Sequence, residues 1–207
     1  MEIQVTKNHY KFESYMHMRR WASLWHQMNE IISSNSKSIL EIGPGLGLLK
    51  QNLTLFDIHV TTLDHDERLG PDFVGSALDL PFEANSFDCA CAFQMLEHLP
   101  YEESLNVVSE LSRVAKNFIM ISLPDKKPVY RYSIQLPILG FLNFFIIKPQ
   151  FKPRKHEFDG QHYWELNATG YDVNRVLIDL EESSNMKVKK CFRVQENPRH
   201  RFIVLKK

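Results

Sequence analysis

The sequence predicts an α/β fold, a mostly parallel sheet with helices on both faces. Three observations carry it. Between residues 38 and 123, short apolar runs rich in β-formers alternate with segments of helical periodicity. The first of these runs passes directly into Gly43-Pro44-Gly45-Leu46-Gly47, where three glycines at alternate positions mark a tight strand-to-helix turn that something approaches closely. A later run, "HVTTLD", ends in Asp64, about 20 residues beyond the first glycine, where a carboxylate after a second strand can accept hydrogen bonds from ribose hydroxyls.

The elements follow in order. Residues 12 to 33 repeat Tyr15, Met18, Trp21, Ala22, Trp25, Met28 and Ile32 at helical spacing, predicting one amphipathic helix. Then come a strand at 38–42, a helix at 46–54, a strand at 58–63, a short strand at 72–75, a strand at 87–93, a helix at 101–115 and a strand at 117–123. Residues 64–72 leave room for a turn or a single helical turn, and Ser76 to Ser86 reads as loop, so two crossover helices are short or missing. After a long middle segment, "ATGYDVNRVLIDLEESSN" reads as a helix and "KVKKCFRV" and "RFIVLKK" as strands. The turn-rich "QENPRH" between them is short enough for an antiparallel hairpin.

At 207 residues the chain suits one domain. Lys plus Arg (25) equals Asp plus Glu (25), which argues against nucleic acid as a partner. The start "MEIQVTKNHY" lacks the pattern of a signal peptide, and no apolar stretch reaches the roughly 18 residues that span a bilayer, so a cytoplasmic location is the expectation. In "FDCACAF", period-two alternation places Cys89 and Cys91 on one face of a strand as buried free thiols. No cysteine or histidine spacing resembles a zinc site, and no metal is expected.

The glycine turn fits neither the dinucleotide fingerprint G-x-G-x-x-G nor the phosphate loop; it reads G-x-G-x-G behind the acidic Glu41. With "LD", "DLPF", "SFD" and "LEHL" following "LEIGPGLG" in order, the stretch from Ser38 to Leu123 resembles the class I S-adenosylmethionine-dependent methyltransferases, in their small-molecule, type 11-like branch. The resemblance implies a Rossmann-like three-layer sandwich: a seven-stranded sheet of order 3-2-1-4-5-7-6 with an antiparallel last strand. It implies S-adenosyl-L-methionine as cofactor, with Gly43, Gly45 and Gly47 admitting its methionine part and ribose, and Glu41 orienting the loop. Asp64 would hold the ribose hydroxyls with His65 beside it, Ser76, Ala77 and Leu78 would line the adenine, and Gln94 and Met95 would flank the sulfonium. Ser76 replaces the family's usual Asp, which puts a side-chain contact to the adenine amino group in doubt; Asp79 is a nearby substitute. Glu97 and His98 begin a helix over the sheet edge in the family and are set aside as an acid–base pair.

Methyl transfer to a small-molecule or lipid-linked acceptor by in-line displacement is the expected activity; a non-catalytic cofactor-binding regulatory or scaffolding protein is the alternative. A nicotinamide-dependent oxidoreductase shares the sheet but not the glycine spacing. Tyr10, Tyr15, Arg19 and Arg20 could close over the cofactor, although Arg20 reads better as solvated. The segment 124–165 is an insertion in which "IQLPILGFLNFFII" lies between Lys126, Lys127 and Arg131 on one side and Lys148, Lys152, Arg154 and Lys155 on the other. It suits a lid over the active site, a homodimer surface or a peripheral membrane contact through 134–147. In "KHEFDGQHYWEL", His156, Glu157, Asp159, His162, Tyr163, Trp164 and Glu165 form a candidate acceptor site, with His162 the first choice for general base and His156 the second.

Overall fold

The run Ser38–Ile42 is buried on both sides, the condition of a strand in the middle of a parallel sheet. The structure is a computed structural model describing residues 11–138, 140–149 and 155–207. In chain order it runs α1 (Phe12–Tyr15), α2 (Met18–Ser33), β1 (Ser38–Ile42), α3 (Leu48–Thr54), β2 (His59–Asp64), β3 (Phe73–Val74), β4 (Phe87–Phe93), α4 (Tyr101–Val114), β5 (Ala115–Pro124), β6 (Val129–Leu136), β7 (Gly140–Ile147), α5 (Val173–Ser184), β8 (Lys187–Arg193) and β9 (His200–Lys206). Seven strands pair in the order β3-β2-β1-β4-β5-β9-β8. The first five are parallel, and β9 runs antiparallel to both β5 and β8. This is the order and the handling of the last strand that the resemblance implied.

Strand alternation divides the core in two. Leu40, Ala90 and Ile119 face α4 and α5, where Val107, Leu111, Val176 and Leu180 meet them. Their sequence neighbours Ile39, Cys89 and Met120 face the other way, onto Leu24 and Ile31 of α2 and Leu49 and Leu53 of α3. Cys89 and Cys91 share that second face with their sulfurs 3.7 Å apart, both thiols free.

Two expectations need correction, on the amino-terminal helix and on Trp164, and the middle segment gains a hairpin. The amino-terminal helix is broken at Met16 and His17, the His17 side chain accepting from the Arg20 N–H at 3.3 Å to start α2. Its buried positions are Ser23, Leu24, Glu30 and Ile31, while Trp21 and Trp25 are exposed. Leu24 and Ile31 lie beside Trp25 and Ile32 in sequence, so the helix carries an apolar arc wider than the sheet can cover, and packing buries only half of it. The middle segment contains a hairpin, β6–β7, register Val129 with Ile147 through Leu136 with Gly140. Its β-branched and aromatic residues pair across strands, with Tyr132 stacked on Phe144 at 5.3 Å between ring centroids. Trp164 belongs to the core, 1% exposed, with Tyr101 edge-on at 4.9 Å, and is withdrawn from the acceptor site.

Candidate active site

Open α/β sheets leave a crevice at the carboxyl ends of their strands, and a cavity of about 700 Å³ occupies that position here. Each strand of the parallel half delivers residues to it: Gly43 and Gly45 after β1, Asp64, His65 and Asp66 at the end of β2, Gly75 and Ala77 after β3, Gln94 and Met95 after β4, Pro124 at the end of β5. Because β9 is antiparallel to β5, pairing His200 with Pro124, the turn that precedes β9 reaches the same edge and adds Asn197, Arg199 and His200. The α1–α2 junction adds Tyr15, His17, Arg19 and Arg20 from the other side.

The glycine turn is shaped by its neighbours. Gly43 (φ +65°) and Gly45 (φ +56°) sit in the left-handed region, and a Cβ at Gly43 would come within 2.7 Å of Met95 Cγ. Below the turn, Glu41 is 4% exposed, its Oε2 has no partner among the described residues, and burial pushes its carboxyl up to about 8. Glu41 opens onto a small recess beside Gly43 rather than onto the main cavity. Asp64 accepts from the Asp66 N–H at 2.9 Å and lies 3.2 Å from His65 Nδ1; burial raises its pKa, and those two neighbours partly offset the rise. Gln94 takes a left-handed φ of +54° and donates to Ser122 Oγ at 3.2 Å, which holds the chain close after β4.

At the other end of the cavity a second constellation assembles from distant segments. Glu97 and His98 lie in the short turn after Met95, and His162 arrives from the loop before α5; the Tyr163 N–H donates to the Glu97 carbonyl at 2.8 Å and ties the two together. The His98 and His162 rings meet edge to face at 5.0 Å. His98 Nδ1 lies 3.1 Å from the Gln161 carbonyl, and His162 Nδ1 lies 2.8 Å from Glu165 Oε1. Glu97 is wholly buried, and burial pushes its carboxyl up to about 8. Burial lowers the pKa of His162, but the Glu165 bond and the nearby carboxylates Glu97 and Asp159 outweigh it, and the net shift is upward. His200 goes the other way, down to about 3, through burial and the cations Arg20 and Arg199.

Of the residues singled out in the sequence, Gly43, Gly45, Asp64, His65, Ala77, Gln94, Met95 and His162 line the cavity. Gly47 caps α3 instead, Ser76 accepts from the Leu78 N–H at 3.2 Å within its own turn, and neither Leu78 nor Asp79 lines the cavity. His156 stands one layer out, bonded to Lys126 Nζ at 2.6 Å and the His162 carbonyl at 2.9 Å. Arg20 is not the solvated residue the helix pattern suggests: its guanidinium lies 3.7 Å above the Tyr15 ring at the cavity wall. Tyr10 lies outside the described residues. Of the segment 124–165, Pro124, Gln161 and His162 line the cavity, and among the described residues no part of β6–β7 does. Asn197, Arg199 and His200 were missed in the sequence; the antiparallel last strand, once expected, was the signal that places them at this edge.

Residues 40–118 match the family model described as a methyltransferase domain. No curated protein matches the sequence. Among solved structures, the magnesium protoporphyrin IX methyltransferase of Synechocystis PCC 6803 with bound SAH has 13% sequence identity and a TM-score of 0.63, covering 100% of this chain and 90% of that one. An S-adenosylmethionine-dependent methyltransferase from Mesorhizobium loti has 14% identity and a TM-score of 0.59, covering 91% of this chain and 100% of that one. The glycopeptide N-methyltransferase MtfA in complex with S-adenosyl-L-homocysteine has 9% identity and a TM-score of 0.57, covering 89% and 88%. At these identities the likeness is one of fold.

Proposed function

We infer that the chain is a class I S-adenosylmethionine-dependent methyltransferase, the kind of domain its residues 40–118 match, and that its acceptor is a small molecule or the reacting end of a lipid-linked one. The observation that carries the acceptor reading is the division of a single cavity of about 700 Å³ into a glycine and Asp64 end and a Glu97, His98 and His162 end. The volume is of the size that takes small ligands, and the balanced charge gives no footprint for nucleic acid. Two of the compared structures are named for magnesium protoporphyrin IX and glycopeptide methylation, which lends support to acceptors of modest size.

The residues present suit the cofactor. A side chain at Gly43 would fill the approach to the turn, Asp64 offers a carboxylate where ribose hydroxyls belong, and Arg20 presents an Nε without a partner among the described residues, suited to a carboxylate. Bound there, S-adenosylmethionine supplies an electrophilic methyl group on a sulfonium. Gln94 and Met95 stand between the two ends and wall the path along which nucleophile and methyl carbon must align. The cluster around His162 orients the acceptor and receives its proton where the nucleophile starts protonated.

A docking partner is proposed as well. Residues 126–155 hold seven Lys and Arg and no Asp or Glu in a chain of zero net charge, and β6–β7 exposes Tyr130, Ile134, Phe141, Leu142 and Ile146. Apolar side chains between cationic flanks are complementary to an anionic lipid surface.

Calorimetric titration with S-adenosylmethionine, S-adenosylhomocysteine and NAD tests the cofactor. The first two should bind and NAD should not, and Asp64→Ala, which removes charge-assisted bonds, should weaken binding about 10- to 100-fold. Binding without methyl transfer to any small-molecule extract would favour the non-catalytic alternative.

A further inference from the structure

We propose that Glu97, His98 and His162 bind a divalent transition-metal cation at the acceptor end of the cavity. One donor atom from each lies within 4.8 Å of the other two, so a small closure brings all three onto one ion. The independent observation is Glu97 itself. Its side chain is wholly buried, it lines the cavity, and neither carboxylate oxygen has a hydrogen-bond partner among the described residues. A buried carboxylate without partners is costly, and a cation in the cavity is what its two oxygens lack.

The surroundings of the two imidazoles match the role. Metal-bound histidines usually present their second ring nitrogen to a carboxylate or a backbone carbonyl, which fixes the tautomer and the ring plane. His162 Nδ1 faces Glu165 Oε1 at 2.8 Å, which leaves its Nε2 as the coordinating atom, and His98 Nδ1 faces the Gln161 carbonyl at 3.1 Å. Glu165 is itself faced by Lys126 Nζ at 3.8 Å and Arg199 Nη2 at 3.7 Å, which hold it behind the imidazole as a positioning residue. Two imidazoles and one carboxylate with open positions suit Mn²⁺, Fe²⁺, Co²⁺ or Zn²⁺ rather than Ca²⁺.

The site has a use in methyl transfer, and this part rests on the reading given under Proposed function. A cation there takes the acceptor's hydroxyl oxygen as a further ligand and lowers its pKa. With His162 held by the cation, the proton passes to water instead of to the imidazole, the oxygen forms its bond to the methyl carbon as the carbon–sulfur bond breaks, and that electron pair stays on sulfur as the neutral thioether. Nothing is oxidised or reduced.

The test uses the full, tag-free chain stripped with a chelator and titrated with Mn²⁺ and with Zn²⁺, by calorimetry and by metal analysis after gel filtration. One equivalent should bind. Glu97→Gln, which keeps the volume and removes the ligating carboxylate, and His162→Ala should each abolish binding or weaken it at least 100-fold, and Glu165→Gln should weaken it about 10-fold. No metal retained by the folded wild-type chain, or binding unchanged in Glu97→Gln with folding verified by circular dichroism, overturns the site. Titration of the same preparations with S-adenosylmethionine separates the two readings: cofactor binding without metal binding sinks the cation site alone, and metal binding without cofactor binding sinks the methyltransferase reading alone.

Discussion

Gly43 shows how little room the cofactor end allows a single atom. A Cβ there would meet Met95 Cγ at 2.7 Å on a backbone at φ +65°, a conformation that costs an L-residue about 1–2 kcal/mol. Gly43→Ala should lower stability by about that amount in a denaturant titration. It should also weaken S-adenosylmethionine binding more than tenfold by calorimetry. Because the obstructing atom belongs to a flexible side chain, adding Met95→Ala should recover part of the stability, while the methyl group facing the ligand remains and affinity stays low. Full recovery of affinity would mean that Gly43 matters only through Met95. Gly43 and Asp64 were legible in the sequence because each lies at a fixed distance along one strand–turn unit. Glu97 was visible but set aside, since its significance depends on His162, 65 positions later, which only tertiary folding brings beside it.

At the scale of elements, the junction after β5 is held by charge. Asp125 is fully buried and receives bonds from Arg193 Nε and Arg201 Nε at 2.7 Å each and from Asn167 Nδ2 at 2.7 Å, so one carboxylate pins β8, β9 and the loop before α5 to the end of β5. Burial alone would raise its pKa; the three donors outweigh that and lower it. The folded-state pKa is therefore below the unfolded value of about 3.9, so the stabilisation is complete above that pH and is lost as pH falls through the folded value. Asp125→Ala should cost about 3–5 kcal/mol near neutrality, because the buried guanidinium of Arg193 and the partly buried one of Arg201 are left without their partner. In paired denaturant titrations the gap between wild type and variant should narrow below about pH 4; a gap independent of pH would show that packing, not charge, fixes the junction. This cluster had no sequence signature, since its members stand at 125, 167, 193 and 201. The strands it joins did: the runs "KVKKCFRV" and "RFIVLKK" gave the positions of β8 and β9 closely, whereas α2 carries more apolar positions than it buries.

Over the whole molecule, the chemistry and an uncovered apolar hairpin leave the sheet at the same place. β5 ends at Pro124, which lines the cavity, and five residues later the chain enters a hairpin whose exposed Ile134, Ile138, Phe141 and Leu142 belong to neither core cluster. Among the described residues no helix is long and apolar enough to cross a membrane, so lipid contact would be interfacial: apolar tips entering the headgroup layer with Lys127 and Lys148 at its surface. Lys126, held by His156 and Glu165, takes no part in that contact; the cations left for it predict selectivity by charge. The protein should float with vesicles containing about a third phosphatidylserine and not with phosphatidylcholine alone, and 0.5 M salt should release much of it, because screening shortens the reach of surface charges to a few ångströms. Replacing both Phe141 and Leu142 by Asp should abolish flotation while leaving the S-adenosylmethionine titration unchanged. A variant lacking 129–147 should behave the same way, because its ends already meet: the Lys148 N–H donates to the Pro128 carbonyl at 3.1 Å. If flotation is indifferent to lipid charge and to both variants, the membrane reading fails. If sedimentation instead finds a dimer that the double Asp variant dissociates, the exposed strands are an interface between two copies of the chain, and the cationic flanks must be explained by something other than lipid.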